Sequence, residues 1–140
     1  MDVVFLIGRI LFAFVFVYSG ITVHLIGYRQ GVQYAKAYKV PLAEIGVPLT
    51  GVAAVLGGLS VVLGVWGDLG ALVLAGFLVL ITPFMHAFWR EEDEMQRVIQ
   101  TVMFVKNTAL LGGALVLFYV WNQLQGEAGL SLTDPLFGSW

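Results

Sequence analysis

Four long apolar runs, at about residues 3–26, 46–66, 69–89 and 98–121, are separated by short polar breaks. Each reaches the roughly 20 apolar residues that a helix needs to cross a bilayer. The pattern predicts an all-α membrane protein. Its expected fold is one domain over 1–124, a four-transmembrane-helix antiparallel bundle. Gly67 and Asp68 predict a tight turn that makes the second and third spans antiparallel neighbours. The break from Arg90 to Arg97 carries acidic residues just before the fourth helix, where the positive end of a helix dipole favours them. In the longest break, 27–47, Tyr28, Tyr34 and Tyr38 alternate with Arg29, Lys36 and Lys39. That mixture of rings and cations predicts a short interfacial helix between helices 1 and 2. Residues 125–140, rich in glycine and holding Pro135, predict an irregular, loosely held tail.

Composition agrees with the pattern. The chain is 59% hydrophobic and 11% charged, with mean hydropathy +0.90, against about 25% charged residues in soluble domains. Seven scattered basic residues and a net charge of −2 form no nucleic-acid surface. The absence of cysteine excludes disulfides, thiol redox chemistry, c-type haem attachment and iron–sulfur clusters. Two histidines cannot close a zinc site unaided, so no metal centre is expected. The first run is too long for a signal-peptide core and lacks a basic leading region, which predicts a retained span. Arg29, Lys36, Lys39, Arg90 and Arg97 fall on one side, called side B, against Arg9 on the other, side A. The positive-inside rule then places the 27–47 and 90–97 loops in the cytoplasm and both termini outside the cell membrane.

Glycines inside the spans, among them Gly57-Gly58, Gly64 and Gly112-Gly113, suit close helix approach in lipid. Pro48 is expected in the first turn of the second helix, and Pro83 inside the third. A weak echo links Leu56–Trp66 with Leu111–Trp121, identical at six of eleven positions, as a duplicated hairpin or a chance product of biased sequence.

Polar residues within the spans are the candidate chemistry, because a buried charge there costs about 2.5–3.5 kcal/mol on insertion scales. Lys106, nine residues past Arg97, is expected to face the bundle or a polar pocket. Asn107 and Gln100 share a helix face near it; His86 and Trp89 end the third span, His24 ends the first, and Glu44 precedes the second. Convergence of His24, Glu44, His86, Trp89, Gln100, Lys106 and Asn107 on the side-B half is the expected ligand site. Their bland reading is helix-end hydrogen bonding and interhelical packing. Arg9 is expected to snorkel or pair with Asp2 or Asp68. A b-type haem between His24 and His86 would rest on two histidines on separate helices and nothing else. No catalytic residue is identifiable.

Ser19-Gly20-Ile21 with His24, Val40-Pro41, Leu56–Gly64, Met85-His86-Ala87-Phe88-Trp89 and Val105–Gly113 together resemble the DoxX family, over about residues 8–118. That resemblance implies a four-helix bacterial or archaeal membrane protein. It also implies a small subunit of a quinone-linked or oxidative-stress-related oxidoreductase complex. Quinone is then the implied cofactor, and electrons would come from a partner protein, since no redox centre is evident. The alternative is a non-catalytic scaffold or anchor that binds partner proteins or lipid, with a homo-oligomer as a further possibility.

Overall fold

The computed structural model describes residues 1–124 and 127–137. Helix α1 (Asp2–Ser19) runs without a break into a π-helical stretch, Gly20–Ile26. After it come α2 (Tyr28–Ala37), α3 (Ala43–Leu63), α4 (Gly67–Met85), a 3-10 turn at Phe88–Arg90, and α5 (Glu94–Leu124). Asp2–Ile26, Ala43–Leu63, Gly67–Arg90 and Glu94–Leu124 are long and apolar enough to cross a membrane. The expected four-helix architecture is the one observed.

The 27–47 break folds as α2, with Val32 and Ala35 buried against Ala43 and Val47 of α3. Its polar side carries Arg29, Gln33 and Lys36 outward, and Lys36 pairs with Glu44. Helix α3 starts earlier than its apolar run, so Pro48 stands inside the helix rather than in its first turn. Proline has no N–H to give to the carbonyl four residues back. The Tyr28 hydroxyl donates to that carbonyl, on Glu44, at 3.3 Å.

The turn between the second and third spans also differs from expectation. It is made at Gly64–Trp66, where Gly64 (φ 63°) and Trp66 (φ 46°) are left-handed, and Gly67 and Asp68 open α4. Gly67 is required by packing instead: the Trp121 indole occupies the space a Cβ would need. The α3/α5 echo does not extend to structure. Gly64 ends α3, whereas α5 continues through the matching Tyr119; Trp66 is exposed and Trp121 is buried.

Small residues set the helix spacing. A Cβ on Gly20 would lie 2.9 Å from the Gly51 carbonyl oxygen, and one on Gly58 would lie 2.6 Å from Val17. Backbones meet closely there, in the manner that favours association in lipid. The core comprises Ala13, Phe16, Ala54, Val61, Leu74 and their neighbours. Helix α5 buries Gln100, Asn107, Ala114 and Trp121, a stripe repeating every seven residues, together with Asn122.

The segment after α5 has no helix within 127–137, and it is firmly held rather than loose. Arg9, fully buried, donates to Ser131 Oγ and the Leu130 carbonyl, both at 2.7 Å. Its guanidinium also lies over the Phe5 and Trp121 rings at 5.1 and 5.7 Å. Asp68, equally buried, accepts from the Leu136 and Phe137 amides at 2.9 and 2.8 Å. The expected pairing of Arg9 with Asp2 or Asp68 is therefore replaced by two separate anchors on one segment. Each buried charge draws backbone or hydroxyl partners, which hold it better than exposure to lipid would. Gln125, Gly126 and residues 138–140 of the expected tail lie outside the described residues.

Candidate functional site

A cavity of about 610 Å³ opens between the π-helical stretch, α2, α3 and the end of α4. Both histidines of the chain line it, with Thr22, Gln30, Tyr34 and Thr50 as the other polar groups. Its remaining walls are mostly apolar, from Val23, Val47, Leu80, Ile81, Phe84 and Met85 among others. Leu80 and Phe84 are also 66% and 43% exposed on the outside of α4, so the cavity borders the lipid-facing surface.

His24 lies within the π-helical stretch, a local widening that often marks functional positions. Its ring rests on α3 because Gly51 has no side chain: a Cβ at Gly51 would collide with the His24 Cβ. His24 Nδ1 is 3.1 Å from the Val47 carbonyl oxygen and 3.2 Å from Thr50 Oγ1. A carbonyl can only accept, so the bond to Val47 requires the hydrogen on Nδ1. The Thr50 hydroxyl has two carbonyl acceptors in reach, Gly46 at 2.7 Å and Val47 at 3.0 Å.

His86 caps α4, three residues past Pro83, which the helix accommodates in its last turn. Its Nδ1 is 2.8 Å from Gln100 Oε1. Gln100, buried on α5, uses its amide nitrogen to donate to Tyr34 and Tyr38, both at 2.9 Å. Tyr38 in turn donates to Glu91 at 2.9 Å. Burial, then the bonds to Tyr34 and Glu91, push the Tyr38 phenol well above its usual range.

Of the seven expected site residues, the structure brings His24 and His86 into one cavity and places Gln100 directly behind His86. Asn107 is buried, yet it donates to Thr82 at 3.2 Å and ties α5 to α4. Glu44 is exposed and held by Lys36. Trp89 is 54% exposed and meets Phe88 and Phe104 edge-on.

Lys106 requires the clearest correction: it is exposed, and among the described residues its ammonium donates only to Met103 Sδ, at 3.6 Å. Successive helix residues turn by about 100°, so with Asn107 on the buried stripe Lys106 faces away. Helix α5 is also longer than the bilayer is thick: its 31 residues extend about 46 Å against roughly 30 Å of hydrocarbon. Its first turns therefore pass the end of α4, where His86 meets Gln100. Lys106 lies about 9 Å from that level at 1.5 Å per residue, and its stem leans toward it, as helix side chains do.

The sequence reading missed Tyr34, Gln30, Thr22 and Thr50. The tyrosine was visible only as an interfacial ring, and the threonines carry no charge to mark them. The π-helical stretch left no signal in the apolar pattern at all.

No curated protein and no solved structure matches the chain. The DoxX family model matches residues 4–87, well over half of the chain, from α1 through His86 and including both cavity histidines. The Lys106–Asn107 helix, which carried part of the resemblance, lies beyond that match. With four bilayer-length helices and that match, the chain is a member of the DoxX family of membrane proteins.

Proposed function

We propose that this protein is a small membrane subunit of a quinone-linked oxidoreductase complex. In this reading the cavity between His24 and His86 receives the headgroup of a lipophilic quinone. The cavity itself carries the reading. Its volume of about 610 Å³ falls within the roughly 300–1,000 Å³ typical of small-molecule sites. Apolar walls with a few convergent polar groups suit a planar ring bearing two oxygens, and exposed Leu80 and Phe84 offer an apolar path for a hydrocarbon tail. Electrons would be exchanged through a partner protein. The 90–97 loop and α2 would face the cytoplasm, with both termini outside, on the excess of Lys and Arg in those loops.

The test is a titration of the purified full chain in lipid nanodiscs with a short-chain ubiquinone analogue. Saturable binding, weakened at least tenfold in the His24→Ala/His86→Ala double variant, is the expected result. Absence of saturable binding to the unaltered protein rejects the reading.

A second reading, a non-catalytic scaffold, would use the outer face of α5, where Val98, Val102, Val105 and Val116 are exposed, to meet a partner helix in place of lipid. That reading predicts association of a partner protein unaffected by changes at His24 and His86.

A further inference from the structure

The hydrogen-bond network around the two histidines determines which form of a ligand the cavity accepts. It can be followed outward-in from Glu91. The Tyr38 hydroxyl gives its hydrogen to the Glu91 side-chain oxygen. Tyr38 oxygen must then accept from Gln100, which puts the amide nitrogen of Gln100 toward the tyrosines and its oxygen toward His86. The amide oxygen only accepts, so His86 Nδ1 is the hydrogen-bearing nitrogen. His24 reaches the same state independently, through the Val47 carbonyl.

In a neutral imidazole one nitrogen donates and the other accepts. A neutral ring with its hydrogen on Nδ1 presents Nε2 as a lone pair, and this is the state in which either histidine can accept from a ligand. Among the described residues neither Nε2 has a hydrogen-bond partner, and neither is sealed off by protein. Neither histidine is paired with a carboxylate among the described residues. Tyr34 and Gln30 also line the cavity, and they can serve an oxygen of either type. The imidazoles cannot.

We infer that the cavity selects a dihydroxy aromatic ligand, the reduced quinol form, over the oxidised quinone, because His24 and His86 both meet the ligand as hydrogen-bond acceptors. Gln100, Tyr38 and Glu91 act as positioning residues that hold His86 in this state. The inference rests on the proposed quinone-type site and adds its redox preference. A quinol hydroxyl donates to each lone pair, whereas a quinone carbonyl would place oxygen lone pairs against nitrogen lone pairs. Sites built to receive a ligand hydrogen discriminate strongly against analogues that lack it.

The experiment uses the full chain in nanodiscs, titrated anaerobically with a short-chain ubiquinol and with its oxidised form. The quinol is expected to bind at least tenfold more tightly, which for a two-electron couple raises the midpoint potential of the bound ligand by about 30 mV. In Gln100→Leu the preference is expected to fall to threefold or less, with affinity for the oxidised form unchanged or increased. A merely structural role for Gln100 would weaken both forms alike. Nitrogen NMR of histidine-labelled, unaltered protein supplies a readout independent of any variant, and both rings are expected to carry hydrogen on Nδ1. Equal binding of the two forms, tighter binding of the quinone, or hydrogen on Nε2 overturns the redox preference while leaving a quinone site in place. Failure of both forms to bind overturns the site and the preference together.

Discussion

Gly51 on α3 lies directly beneath His24, so close that a Cβ on the glycine would collide with the Cβ of the histidine. The closest contact is with the stiff base of the histidine side chain, and rotation of the ring cannot relieve it. Gly51→Ala is expected to lower stability by about 1–3 kcal/mol, the usual cost of forcing added atoms into a packed interface. The same change should push the π-helical stretch away from α3 and weaken ligand binding more than Ala substitutions on the lipid face. Thermal unfolding in detergent, read beside the ligand titration, checks both effects.

The segment after α5 is held by the Asp68 carboxylate at Leu136 and Phe137 and by the Arg9 guanidinium at Leu130 and Ser131. Asp68→Asn keeps the shape but replaces one of its two accepting oxygens with a donor. One backbone amide then loses its partner, at a cost of about 1–3 kcal/mol. Limited proteolysis should show cleavage within 127–137 that the unaltered protein resists. Cleavage at the same rate in both proteins would mean that the segment is held by its apolar contacts alone.

Lys106 and Asn107 are neighbours with opposite expected behaviour. Lys106→Met should change thermal stability by less than about 0.5 kcal/mol, as substitutions away from buried features do, and should leave ligand binding intact. Asn107→Leu removes the donor to Thr82 from a buried position, and the unpaired hydroxyl should cost about 1–3 kcal/mol. A large loss of binding in Lys106→Met would return this lysine to the site.

The division between what was legible in the sequence and what was not follows from these residues. Helix number and order were legible because bilayer thickness sets the length of each apolar run, and the family was legible in Ser19-Gly20-Ile21 with His24 and in the glycine-rich run Leu56–Gly64, which fall within the family match. The two histidines and Gln100 were identified because polar groups in a span need partners. Helix phase and end level were less visible: one residue of rotation separates buried Asn107 from exposed Lys106, and α5 overruns α4 by a length that hydropathy does not register. Glycine roles were also ambiguous, since Gly67 reads as a turn residue and is in fact the floor for the Trp121 ring. The anchors formed by Arg9 and Asp68 depend on contacts more than 60 residues away along the chain, which no local pattern encodes.

Gly46 provides the most direct test of the claim that the cavity between His24 and His86 is a ligand site. It lines the cavity, and a Cβ added there would meet nothing within 4 Å. Gly46→Phe should therefore fill the space without straining α3, and replacing a helical glycine favours the helix itself. The measurement is binding of the short-chain quinol to Gly46→Phe, with thermal stability recorded on the same sample. A loss of at least tenfold in affinity with no fall in stability is the predicted result; unchanged affinity in a folded Gly46→Phe protein would contradict the account.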